Sequence, residues 1–198
     1  MSTGAKSKMW TPANIVTVIR ILLIPVFVVV LLSPWPDWMP EPLFWKSTQP
    51  WLAALVFGAI SATDALDGYL ARSRNEVTDF GKFVDPLADK ILVCAALLAL
   101  VELQEIPSWI ALVIVAREFI VSGLRMLAAS KGIVIAASMW GKVKTVVQMA
   151  MIILLLLHLP FTWFQVLEQI AIWLALALTV ISLVDYLMKN KTVLKEQK

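Results

Sequence analysis

Four aspartates carry the chemistry in this chain. Asp64 and Asp67 are three residues apart, and Asp85 and Asp89 are four apart, within the stretch SATDALDGYLARSRNEVTDFGKFVDPLADK at 61–90. On helices, both spacings put side chains on one face. If the two helices are antiparallel neighbours joined by residues 73–82, the two acidic faces converge. A carboxylate at the centre of a bilayer costs ~2.5–3.5 kcal/mol. Four unpaired ones would cost on the order of 10 kcal/mol, and like charges packed together repel or retain protons. Divalent cations remove both problems. A carboxylate-only cluster without His or Cys suits Mg²⁺, Mn²⁺ or Ca²⁺ and disfavours zinc. The alternative is a solvated interfacial cluster paired with Arg72, Arg74, Lys82 and Lys90. Gly68 and Gly81, interleaved with the acids, weigh against it, because glycine lets a ligand or backbone approach closely. Glu76 and Asp79 fall outside the helical pattern and read as solvated loop residues.

The elements around these acids must be membrane helices. Of the 198 residues, 60% are hydrophobic and 16% charged, with mean hydropathy +0.83. Soluble domains are nearer a quarter charged, and a soluble core of this size could not shelter so much apolar sequence. An all-α integral membrane protein is expected, a single domain over 1–198. Its six spans fall at about 13–32, 51–71, 84–103, 107–129, 140–159 and 163–187, since roughly 20 apolar residues cross the hydrocarbon core. Residues 33–50 are rich in Pro and Trp, cannot continue a helix, and suit a headgroup-level aromatic belt. No cleavable leader is expected. Cys94, the lone cysteine, reads as an inert packed thiol.

Basic residues set the orientation. With the N-terminus inside, Lys6, Lys8, Arg72, Arg74, Lys82, Lys131, Lys142 and Lys144 lie at cytoplasmic ends, as does the tail with Lys189, Lys191, Lys195 and Lys198. The other side holds Lys46 against Asp37, Glu41, Glu102, Glu105 and Glu168. Both termini are therefore expected in the cytoplasm, and the tail is expected to contact anionic lipid headgroups. No nucleic-acid partner is expected.

Asp64-x-x-Asp67-Gly68-x-x-Ala71-Arg72, followed after eight residues by Gly81-x-x-x-Asp85-x-x-x-Asp89, resembles the signature of the CDP-alcohol phosphatidyltransferases. The resemblance implies a six-helix membrane fold, homodimeric, with a cytoplasm-facing site that moves a phosphatidyl group from CDP-diacylglycerol to an alcohol and releases CMP. It implies that Asp64, Asp67, Asp85 and Asp89 hold one or two ions, Mg²⁺ or Mn²⁺, and that Asp89 is the general base. Gly68, Ala71 and Arg72 would line the CDP site, and Gly81 would give the nucleotide room. Independently, attack on a pyrophosphate needs its oxygens neutralised and a hydroxyl held in line and relieved of its proton. No Ser-His or Cys-His pairing suggests a covalent route, and His158, near the far side, reads as structural.

The acceptor is read from later spans. Arg117 and Arg125 are eight apart in AREFIVSGLR, and Lys142 and Lys144 follow in GKVKT. Arginine forks and lysine point charges suit a phosphate. Neutralisation of Arg117 by Glu118 is equally open, and loop charge explains Lys131 but not arginines inside a span. An acceptor that itself carries phosphate fits, glycerol 3-phosphate or inositol phosphate. The strings REF, SGLR, GKVKT and PANIVTVIRILLIP resemble the branch of the family that uses glycerol 3-phosphate, over about residues 10–150. Asn14 and Thr17 either face the nucleotide or cap the first helix. From another class, a divalent-cation transporter would put its acids near the midplane and often in repeated halves; here they crowd one interface. A bacterial inner membrane is the expected location.

Overall fold

A computed structural model describes residues 12–32, 51–63, 79–133, 135–136 and 138–191. The described residues form six helices and no strand: α1 (Pro12–Leu32), α2 (Trp51–Thr63), α3 (Asp79–Glu102), α4 (Ser108–Ser130), α5 (Met139–Leu157) and α6 (Thr162–Lys189). The expected sites at Asp64, Asp67, Gly68, Ala71 and Arg72 lie outside the described residues, as do the 33–50 linker and most of the basic tail.

Local chemistry explains the boundaries. Pro12 opens α1, where a missing N–H costs nothing. Pro107 precedes α4 in an extended conformation. The Ser138 hydroxyl caps α5 by accepting from the Gly141 N–H at 3.1 Å. His158 ends α5 in the left-handed region at φ 33°, and Pro160 follows. One boundary departs from expectation. α3 begins at Asp79, so residues 79–82 are helical rather than connecting chain, and Asp79 opens the helix instead of lying in a loop. The reason is physical: an acid in the first turn complements the positive end of the helix dipole. From there Val84, Ala88 and Leu92 run as a buried i, i+4 stripe.

α1, α5 and α6 are long and apolar enough, by length and composition, to cross a membrane. α3 and α4 have 24 and 23 residues, about 35 Å each, but α3 holds six charged residues and α4 sets its three, Arg117, Glu118 and Arg125, close together near its middle. The distribution of side chains suits a lipid solvent. Leu22, Leu55, Leu98, Leu112 and Val146 face outward, while Asn14, Thr17, Arg20, Arg117, Lys144, Gln148, Thr179 and Ser182 are buried. A water-soluble protein sorts these types the other way. The chain is an integral membrane protein.

Two compact units divide it, residues 1–99 and 100–198. In the first, Ile24, Phe27 and Leu31 of α1 are buried with Ala53, Ala54, Phe57 and Ile60 of α2 and Ala88, Leu92 and Ala96 of α3. The Phe27 and Phe57 rings lie 5.8 Å apart. Alanines allow the close helix approach that packing in lipid requires. In the second, α6 packs along α5 and also against α4. Val121 and Leu124 of α4 cluster with Tyr186 of α6, flanked by Ile135, Leu183 and Leu187.

Candidate active site

In the first unit, α3 sets residues 85 and 89 one helical turn apart. Of these two, the side chain described is Asp89. Its Oδ1 accepts a 2.9 Å hydrogen bond from Arg20 Nη1. Arg20 is the one charged residue in the 21-residue α1, and it is 1% exposed. Its Nε donates to Thr63 Oγ1 at 3.4 Å, and the Thr63 hydroxyl donates to the Ile60 carbonyl at 2.6 Å. Three helices thus meet around one guanidinium. Thr63 immediately precedes Asp64 in the sequence.

Asn14 and Thr17 are buried on the face of α1 that also carries Arg20, Ile24, Phe27 and Leu31. That face is polar over its first turns and apolar beyond. Asn14 is the third residue of the helix and Thr17 the sixth, so neither occupies the capping position.

Among the described residues, no group of three or more His, Cys, Asp or Glu side chains could hold a metal ion. The expected ligand set has two members outside the described residues, and of the Asp85 side chain nothing is described. The donors that the chain offers are all carboxylate oxygens, and the Asp89 side chain is 42% exposed although Arg20 holds one of its oxygens. Hard donors on a partly open helix face fit Mg²⁺ or Mn²⁺.

The second unit buries a charged cluster. Arg117 Nη1 donates to Glu118 Oε1 at 3.0 Å, and Lys144 Nζ donates to the same oxygen. Arg117 Nη2 donates to the hydroxyl of Ser182 on α6. Two cations share one carboxylate, so the cluster keeps a net positive charge. Arg117 Nε is buried and has no hydrogen-bond partner among the described residues. Two turns along α4, Arg125 Nε donates to the Tyr186 hydroxyl at 3.3 Å, and its guanidinium lies 5.8 Å over that ring. Lys142 is exposed. The expected acceptor residues are thus three different things: Arg117 and Lys144 joined through Glu118, Arg125 set against α6, and Lys142 on the surface.

At the other end of α5, His158 Nδ1 lies 3.1 Å from Glu105 Oε2 and 3.7 Å from Glu168 Oε1. This trio ties the α3–α4 turn, the end of α5 and the start of α6, in keeping with a structural histidine.

Sequence reasoning missed Arg20, Thr63, Ser182 and Tyr186. For Arg20 a signal existed, since an isolated charge in a span is by default a candidate for function. Ser182 and Tyr186 gave no local signal; a serine and a tyrosine four apart in an apolar helix look ordinary.

Residues 10–181 match the CDP-alcohol phosphatidyltransferase family, and the chain belongs to it. Among its relatives is the CDP-diacylglycerol–glycerol-3-phosphate 3-phosphatidyltransferase of Bacillus subtilis (strain 168). It is 44% identical over 191 residues, covering 94% of this chain and 98% of the relative. The Haemophilus influenzae protein of the same name is 37% identical over 180 residues, 88% of this chain and 90% of its own length. The crystal structure of Mycobacterium tuberculosis phosphatidylinositol phosphate synthase in apo form shares the fold, with a TM-score of 0.64 at 17% identity, covering 95% of this chain and 94% of that one.

Proposed function

We propose that the protein transfers the phosphatidyl group of CDP-diacylglycerol to glycerol 3-phosphate, giving phosphatidylglycerophosphate and CMP. The observation that carries this reading is near full-length similarity, at 44% identity, to the Bacillus subtilis enzyme named for that reaction. The buried net-positive cluster of Arg117, Lys144 and Glu118 supports an acceptor that bears its own phosphate.

In the proposed reaction, a hydroxyl oxygen of glycerol 3-phosphate attacks the phosphorus that carries the diacylglycerol. The bond from that phosphorus to the bridging oxygen breaks, and CMP leaves with the electron pair. The hydroxyl proton passes to Asp89. Asp64, Asp67, Asp85 and Asp89 would hold one or two divalent ions, which when bound neutralise the pyrophosphate oxygens. Arg72 adds positive charge beside Gly68 and Ala71, Gly81 leaves room for the nucleotide, and Asn14 and Thr17 offer buried polar groups to it. Arg117, Arg125, Lys142 and Lys144 bind the acceptor phosphate and orient its hydroxyl. Direct displacement needs no covalent enzyme intermediate.

Six spans, both termini and the site on the cytoplasmic side, a bacterial inner membrane and a homodimer complete the reading. The orientation is supported by the distribution of basic residues and the location by the bacterial origin of the relatives; the homodimer is what membership of the family implies.

The test is CMP release by purified protein given CDP-diacylglycerol, Mg²⁺ or Mn²⁺, and either glycerol 3-phosphate or inositol phosphate. Release with glycerol 3-phosphate is expected. Release only with inositol phosphate would reassign the acceptor, and cation flux in liposomes without CMP would move the protein to another class.

A further inference from the structure

We infer that Arg20 is a positioning residue, whose guanidinium fixes the Asp89 carboxylate in the orientation that metal binding and proton removal require. The inference rests on the roles proposed for Asp89 and adds to them a residue of α1.

Burial is asymmetric across the pair. Arg20 is enclosed, at 1% exposure, while the Asp89 side chain is 42% exposed. The carboxylate is open enough to serve a ligand, and the group that holds it is locked inside the unit. Arg20 is also a costly residue at its position. The buried face of α1 continues through Ile24, Phe27 and Leu31, so a leucine at residue 20 would complete an apolar stripe without desolvating a charge. The arginine makes sense through what it holds.

Its plane is fixed from a second helix. The Thr63 hydroxyl gives its proton to the Ile60 carbonyl at 2.6 Å, which turns oxygen lone pairs toward Arg20 Nε at 3.4 Å. A planar fork anchored at Nε aims Nη1, and Nη1 holds Asp89 Oδ1 at 2.9 Å. With one oxygen on a fixed donor, rotation of the carboxylate about its own bond is restricted, and the direction of Oδ2 follows. Outer partners of this kind orient metal-binding carboxylates, and their loss costs about 10- to 100-fold in metal affinity or activity. Lysine would keep the charge but not the fork.

The experiment measures Mn²⁺ binding to the detergent-solubilised full chain by electron paramagnetic resonance, without substrate. Alongside it, kcat and the KM for each substrate are measured for the wild type, Arg20→Lys and Thr63→Val, with thermal midpoints as a check on folding. Arg20→Lys is expected to weaken Mn²⁺ binding and lower kcat by about 10- to 100-fold, with KM for glycerol 3-phosphate unchanged. Thr63→Val, which keeps the shape and removes the anchor of Nε, should shift both in the same direction by less. A folded Arg20→Lys with wild-type Mn²⁺ binding and kcat, or a loss confined to the thermal midpoint, overturns the inference. Should Arg20→Lys fail to fold, Thr63→Val decides on the same two readouts. A wild-type protein that neither binds Mn²⁺ nor releases CMP overturns the reading of Asp89 itself, a result distinct from an unaffected variant.

Discussion

At the scale of single residues, the charges in this protein are defined by their partners. Arg20 is enclosed and held by Asp89, so replacing Asp89 does two things together. It removes the proposed base and takes from the buried Arg20 guanidinium the carboxylate oxygen that its Nη1 holds. Breaking a fully buried pair from one side costs about 3–5 kcal/mol; solvent reaches the Asp89 carboxylate, so the expected loss is smaller than that. Asp89→Asn should therefore lose turnover and also unfold at lower denaturant concentration. A double replacement, Arg20→Met with Asp89→Leu, should recover much of the stability and none of the activity. Denaturation curves for the three proteins check this; a single variant as stable as the double one would show that the pair carries no structural charge debt.

At the scale of elements, α6 is more than a generic last span. Ser182 and Tyr186 lie one turn apart on its buried face and reach Arg117 and Arg125, which are two turns apart on α4. A hydrogen bond to a charged group contributes about 1.5–3 kcal/mol. If the arginines bind the acceptor phosphate, Ser182→Ala should raise the KM for glycerol 3-phosphate by about tenfold and leave that for CDP-diacylglycerol as it was. Tyr186→Phe, which keeps the ring under Arg125 and removes the hydroxyl, should have a smaller effect of the same sign. Steady-state kinetics with each substrate varied in turn separate these outcomes. An equal rise in both constants would point instead to a general loosening of the helix pair.

At the scale of the whole molecule, the determining condition is a solvent that rewards apolar surface and penalises unpaired charge. Leucines and valines face outward and polar groups are enclosed. The donors proposed in the acidic stretch are all carboxylates. Chelation by EDTA should abolish CMP release, with Mg²⁺ or Mn²⁺ restoring it and Zn²⁺ failing to, because hard carboxylate clusters without His or Cys favour the former. A titration of activity against each metal checks this, and restoration by zinc alone would contradict the reading of the ligands.

The amino-acid sequence by itself determined what depends on local order. Apolar run length sets where α1, α4, α5 and α6 begin and end within one or two residues, and the spaced aspartates and glycines identify the family. The start of α3 was less legible, because Asp79 suits a loop and a helix N-terminus equally until Val84, Ala88 and Leu92 are buried together. Charge pairing was decided by tertiary structure. Arg20 and Asp89 are 69 residues apart, Arg117 and Ser182 are 65 apart, and Lys144 meets Glu118 across 26. A lone cation in an apolar span announces that it must find a partner in a medium that supplies none, but any acid or hydroxyl at the same depth could serve. Only packing brings one of them within hydrogen-bond reach.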